Sequence, residues 1–264
     1  MDDIPASLFD RAFYLDRYAD VAAAGIDPLQ HFLAFGLHEN RTPHPLFDPH
    51  FYAAQLPPSP HTPPLLHYLR HGTPDPHPLF DTAHYLAQFA PGDLDGQPPL
   101  LHFLTVGHLA DLSPNPLFDA AYYRRSNPQA GPLIEHPLLH YVVHGWRQGC
   151  RPHPLFDPAY YLRMRPDVAA AGIDPLAHYL QHGHAEFART HALFDDARYR
   201  RSFADEPEQL KAIDRLGPII HFAQAARPVA PPSRQLLHDC APQRRHRDKA
   251  ISLGGDGDAH SKLL

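Results

Sequence analysis

The tripeptide Leu-Phe-Asp occurs six times, beginning at Leu8, Leu46, Leu79, Leu117, Leu155 and Leu193, with steps of 38, 33, 38, 38 and 38 residues. A fixed period of this size marks a repeat architecture. A second landmark follows inside each unit: a proline leads into apolar residues, a histidine and an aromatic. Pro64-Leu65-Leu66-His67-Tyr68, Pro99-Leu100-Leu101-His102-Phe103 and Pro137-Leu138-Leu139-His140-Tyr141 show it fully, and His31, His178 and His221 occupy the same place in the other units. Five residues after the histidine stands Gly36, Gly72, Gly107, Gly145 or Gly183, with Ala226 in the sixth unit. The five residues missing from the 33-residue step fall in two connections, one before His67 and one after Gly72, which predicts that deletions sit in loops and spare the landmarks.

Both landmarks read as helices. The Asp of Leu-Phe-Asp can accept the free N–H groups of a first turn, Pro49 and Pro158 suit the first helical position, and the Phe before the Asp stands where a hydrophobic staple belongs. A Tyr follows each Asp by four residues. Pro57, Pro128 and Pro166 stop this first helix after about two turns. In units one and five a further short turn ends at Gly25 and Gly172, and Asp27-Pro28 and Asp174-Pro175 open a second main helix, which the later glycine closes. Alternating strand patterns are absent and proline recurs every few residues. The prediction is an all-α fold over residues 1–227: six tandem repeats of about 38 residues, each with two or three short helices. One unit has too few large apolar side chains to offset the ordering of its backbone, so the units are expected to stack into a solenoid-like, rod-shaped body. The sixth unit, with a longer internal loop carrying Asp205, Glu206, Glu208 and Lys211, reads as a terminal cap, and residues 228–264 as a disordered tail.

The order Leu155-Phe156-Asp157-Pro158-Ala159-Tyr160-Tyr161, then Pro166-Asp167-Val168, Asp174-Pro175-Leu176 and His178-Tyr179-Leu180, resembles a repeat of bacterial glycosyltransferases and other surface-polysaccharide biosynthesis proteins. The pattern continues Gly-Trp-x-Glu-Gly-Arg-x-Pro. Gly36, Glu39, Arg41 and Pro43 match it in unit one; Gly145, Trp146, Gly149 and Pro152 match it in unit four, where Gln148 and Cys150 depart from it. The resemblance covers residues 8–227. It implies a repeat region that accompanies a separate catalytic domain and holds no catalytic residues itself; the 37 residues after it are too few for a nucleotide-sugar fold.

Composition narrows the function classes. Residues 228–264 carry a net charge of +2 and the remainder −8, so the body lacks the basic footprint of a nucleic-acid binder. No run approaches the roughly 18 apolar residues of a membrane span, and the acidic start MDDIPASLFD has no apolar signal core, which predicts a cytoplasmic protein. Two cysteines exclude a disulfide scaffold.

Two constellations could carry chemistry. The pairs His67/His71, His140/His144 and His178/His182 stand four apart, on one helix face each, a spacing that suits Zn²⁺ if a Pro-His-Pro loop (His77, His153) supplies a third ligand. Against this, Phe35 and Val106 replace the second histidine in units one and three, as at a packing position. The six histidines of the first column are expected to hydrogen-bond a neighbouring helix cap or carbonyl. The second constellation is the column three after the capping Asp: Phe13, Phe51, His84, Tyr122, Tyr160 and Arg198. Its variation predicts partial exposure and a ligand or partner surface, while the uniform Tyr column one residue later reads as core. No phosphate-cradling loop, nucleophile elbow or His-Glu-x-x-His is present. The reading is a non-catalytic scaffold or recognition module of polysaccharide assembly, needing no cofactor, whose partner is a protein or a glycan, a glycosyltransferase catalytic domain among them. The alternatives are a truncated or split glycosyltransferase and a His-rich zinc-binding protein.

Overall fold

The computed structural model describes residues 4–57, 62–90, 92–94, 96–128, 134–186 and 188–225. The expectation for residues 228–264 lies outside them. Helices dominate, and among the described residues there is no strand, only isolated bridges such as His44 with Phe47.

The Leu-Phe-Asp segments build what their chemistry predicts. The first helices run Arg11–Arg17, Pro49–Ala54, Thr82–Leu86, Ala120–Ser126, Pro158–Met164 and Asp196–Arg201. In each, the preceding Asp carboxylate accepts the N–H three residues on: from Phe13, Phe51, His84, Tyr122, Tyr160 and Arg198 at 2.8–3.1 Å. The staple forms between the Phe before the cap and the Tyr four after it, with ring centroids 5.1–5.7 Å apart in all six units. The same Tyr meets the aromatic after the histidine edge-on, from Tyr14–Phe32 at 78° to Tyr52–Tyr68 at 89°. Edge-to-face contact sets the positive ring rim against a negative ring face, and burial of these rings forms the core.

The second helices open at Pro28, Pro64, Pro99, Pro137, Pro175 and Pro218. The short turns of units one and five form Ala19–Ala24 and Pro166–Ala171, ending at left-handed Gly25 and Gly172 as expected. The longer loop of unit six is itself a helix, Pro207–Leu216, because its charged residues fall on one side and Ile213 on the buried other.

The glycine after each histidine has a different role from the expected helix stop. Only Gly72 takes a left-handed φ of 68° and ends its helix. In the other four described units the helix widens into a turn bonded between residues five apart: Leu37 N–H to Phe32 C=O, His108 to Phe103, Trp146 to Tyr141 and His184 to Tyr179, at 2.8–3.1 Å. The glycine carbonyl accepts the next such bond, as from Arg41 to Gly36 and Cys150 to Gly145. A Cβ on Gly36, Gly107, Gly145 or Gly183 would overlap the hydroxyl of Tyr14, Tyr85, Tyr123 or Tyr161. The residue type is therefore set by the tyrosine that enters the wide turn. In unit two, the deletion after Gly72 brings Thr73 to this place, where its carbonyl accepts from the Tyr52 hydroxyl at 2.6 Å. That deletion changed the landmark's geometry, which the loop expectation did not foresee. Four residues past the glycine, Asn40, Asp111 and Gly149 turn the chain at positive φ, a conformation Asn, Asp and Gly tolerate best.

In units one to five the capping segment also bonds the loop that leads into the next unit. The N–H of Asp10, Asp48, Asp81, Asp119 and Asp157 donates to the carbonyl of Pro43, Pro76, Pro114, Pro152 and Thr190, at 2.9–3.0 Å. The chain does not run out as a straight rod. Ala6–Leu8 packs against Phe103–Gly107, and Phe51 of unit two shares a hollow with His182 of unit five and Arg215 of unit six.

Gly145→Ala should therefore destabilise the protein by about 1–3 kcal/mol through overpacking, against the roughly 1 kcal/mol alanine ordinarily gains over glycine in a helix. In denaturant titrations Tyr123→Phe, which removes the obstructing oxygen, should make the added alanine cheaper. A cost unchanged in the double variant would disprove the steric account.

Candidate functional site

The first-column histidines do not bond caps or carbonyls; each pairs with the first-helix Tyr of its own unit, buried in five units and half-buried at Tyr199. Tyr hydroxyl to Nδ1 distances are 3.1 Å for Tyr14–His31, 2.8 Å for Tyr52–His67 and 2.7 Å for Tyr85–His102. They are 2.6 Å for Tyr123–His140, 2.7 Å for Tyr161–His178 and 2.8 Å for Tyr199–His221. Burial pushes the phenols up, Tyr14 to about 12 and the others upward too. Burial also holds His67, His102, His140, His178 and His221 below the ordinary histidine range. Neutral imidazole beside protonated phenol is the state both shifts favour.

This occupies one nitrogen of each first histidine in the metal pairs. The rings of His140 and His144 lie 6.0 Å apart and those of His178 and His182 5.6 Å apart, between centroids. Among the described residues no three His, Cys, Asp or Glu side chains gather as a metal would require. The loop histidines offered as third ligands turn inward: His77 and His153 accept the N–H of Leu79 and Leu155 on Nδ1, at 3.1 and 3.2 Å. His44 does the same for Leu46. In unit four Asn115 takes this place, its Oδ1 accepting from Leu117 at 2.9 Å, so the side chain is there as a short-range acceptor that closes the turn.

The variable column is partly exposed, as its variation predicted: Phe13, Phe51, His84, Tyr122 and Tyr160 are half-buried and Arg198 is exposed. Arg17 lies over the Phe13 ring at 5.9 Å and Arg163 over Tyr160 at 5.6 Å. The column does not form one site. Phe51 alone joins a hollow of about 460 Å³, and His182 is the one member of the proposed metal set beside it. Around them stand Gln55, Asp75, Arg215 and Gln224. Gln55 is held by its amide, which donates to the carbonyls of Phe51 at 3.1 Å and Asp75 at 2.9 Å. The Asp75 carboxylate accepts from Thr82 N–H at 2.8 Å. Asp81, also on the wall, has its carboxyl raised by burial. The hollow therefore offers an aromatic ring, fixed amides, carboxylates, an imidazole and a guanidinium. The repeat pattern could not reveal this set, because Gln55, Asp75 and Arg215 stand at positions that differ from unit to unit; only the coiling of the chain unites them.

Burial drives titrations in two opposed directions, His44 and His77 down to about 4 and Asp174 and Asp196 up to about 6. His44 is pressed down to about 4, with His136 and His77 disfavouring and Asp10 favouring its charge. Asp196 is buried, both its carboxylate oxygens lack a hydrogen-bond partner among the described residues, and its carboxyl is pushed up to about 6. The unfolded chain protonates histidine near 6.5 while native His44 resists to about 4, so its contribution is complete above 6.5 and is lost as pH falls toward 4. A tenfold change in proton affinity is about 1.4 kcal/mol, so His44 alone is worth on the order of 3 kcal/mol by pH 4. Asp196 acts the other way: its native state favours the proton, a contribution present below about 4 and lost as pH rises through 6. Melting temperature against pH should show His44→Asn, which copies Asn115, with a flatter acid limb than the parent. Asp196→Ala should melt higher than the parent above pH 6, by roughly 1–3 kcal/mol of stability. Acid limbs of equal slope for His44→Asn and the parent would refute the burial argument.

No protein-family model matches the chain, and neither a curated protein nor a solved structure matches it.

Proposed function

We propose that the chain is a non-catalytic helical-repeat module, its six cassettes stacked as one coiled body, that recognises a glycan or a protein in the cytoplasmic machinery of bacterial polysaccharide assembly. The observation that carries this reading is the hollow between Phe51, Gln55, Asp75, His182, Arg215 and Gln224. A sugar ring has an apolar face and a rim of hydroxyls, and it asks a protein for an aromatic surface edged by amides, carboxylates and cations. The hollow supplies that combination. The resemblance of the cassette to repeats of glycosyltransferases and surface-polysaccharide proteins points the same way. Among the described residues no helix is long and apolar enough to cross a membrane.

Oligosaccharide fragments of bacterial exopolysaccharides, titrated into the protein by calorimetry, should bind, and Phe51→Ala and Arg215→Ala should each weaken the binding about tenfold, the size of one lost ring or ion contact. Failure of any fragment to bind, or binding that both variants leave intact, would refute the glycan reading of the hollow. Capture of a glycosyltransferase catalytic domain that both variants abolish would instead make the hollow a protein-docking site.

A further inference from the structure

Opposite charges line the two sides of the hollow. Units two to four supply Gln55, Asp75 and Asp81, and units five and six supply His182, Arg215 and Gln224. The first side is acidic and half spent. Asp75 takes the Thr82 N–H on Oδ1 and Asp81 takes the His84 N–H on Oδ1, both at 2.8 Å, which leaves the second oxygen of each carboxylate for a donor. Gln55 commits its amide N–H groups to the Phe51 and Asp75 carbonyls and keeps its side-chain oxygen. The second side has its charge unspent. Arg215 is exposed, and its guanidinium has no ion pair or hydrogen bond among the described residues. The acids of its own helix are taken: Asp214 by both Nε and Nη2 of Arg200, at 2.7 and 2.8 Å, and Glu208 by Lys211 at 2.9 Å.

The charge that fits between these sides is limited. Charges beyond about 8 Å are screened at physiological salt, so the lining of the hollow decides, and the net −8 of the body does not. One guanidinium offsets one negative charge, and its planar fork matches the two oxygens of a carboxylate. A phosphomonoester carries roughly −1.5 to −2 at neutral pH, and its excess charge would fall beside Asp75 and Asp81. Asp81 shows what charge costs there, because burial first, and then the Asp75 carboxylate, push its carboxyl up. A neutral sugar avoids that cost but leaves Arg215 unmatched. A ring with one carboxylate and several hydroxyls answers both sides.

We propose that the ligand of the hollow is an acidic sugar, a uronate unit whose carboxylate seats on Arg215 while its hydroxyls donate to the free oxygens of Asp75 and Asp81. This rests on the glycan reading of the hollow and narrows it to glycans with one carboxylate on the bound ring. Arg215 then sets specificity. Asp75 and Asp81 accept hydroxyls and turn away a doubly charged ester, and the Phe51 ring takes the apolar face of either kind of sugar.

The test is calorimetry on the full 264-residue chain with three matched probes: an oligosaccharide containing glucuronic acid, the same oligosaccharide with its carboxyl reduced to the alcohol, and the reduced form phosphorylated on that alcohol. The uronate should bind at least tenfold more tightly than either other probe, a difference of about 1.4 kcal/mol. Arg215→Gln changes an exposed side chain, and its thermal melt should match the parent. It should remove the difference between the uronate and its reduced form. Phe51→Ala should weaken both of these by the same factor. Equal binding of the uronate and the reduced form by the parent, with both weakened by Phe51→Ala, would overturn the acidic ligand and leave the glycan reading standing. A preference for the uronate that survives Arg215→Gln, or tighter binding of the phosphorylated probe, would also overturn it. Binding of none of the three would take the glycan reading down as well.

Discussion

Every cassette depends on one contact: a buried tyrosine hydroxyl that reaches the first-column histidine. The tyrosine comes from the first helix and the histidine from the second, so this bond fixes the distance and angle between them. Its cost is steric as well as polar. In four units the hydroxyl occupies the volume a Cβ would fill, and the helix that receives it has both a glycine and a widened turn there. Around this bond the tyrosine of each unit meets the aromatic after the histidine edge-on, in a geometry that recurs six times. A buried phenol without a partner would cost about 1–3 kcal/mol, so tyrosine, histidine and glycine belong together as one physical unit.

The first helices were legible in the sequence because their signals are local. An aspartate cap, a proline at the first helical position and an aromatic staple act over four residues, and all six copies agree. The glycine was misread for the same reason. A glycine after a helical run ordinarily stops the helix, and nothing within five residues discloses the tyrosine some twenty positions earlier that requires it. The structural role of the histidine is legible, but the sequence points to a neighbouring helix cap or carbonyl as its partner, because the period aligns histidine with histidine and does not show which residue lies across from it. The turn histidines were invisible as acceptors until Asn115 appeared in the same bond, a substitution that makes chemical sense only for a side chain accepting from the amide two residues on.

Two polar side chains stand outside this economy. Thr82 and Asp196 occupy the same position, directly after the cap, where Pro49, Ala120 and Pro158 are buried without polar demands. The Thr82 hydroxyl and the Asp196 carboxylate find no partner among the described residues. For threonine the penalty is modest. For aspartate it is large enough to raise the carboxyl to about 6, a local cost that grows as the group ionises toward neutral pH.

The division between uniform and variable positions locates any recognition surface. Columns that hold a cassette together admit one residue type or a close equivalent, since each side chain answers a fixed partner at a fixed distance. Positions that line the hollow differ between units: Phe51 in a column that holds Phe, His, Tyr or Arg elsewhere, Arg215 in the longer internal connection of the sixth unit, Asp75 in the one connection shortened after its glycine. A body assembled from identical cassettes would present a regular surface with no distinguished spot. Coiling breaks that regularity by bringing unlike units face to face, so the site is specified by which cassettes meet, and the chemistry there is free to change without disturbing the tyrosine, histidine and glycine that build each one.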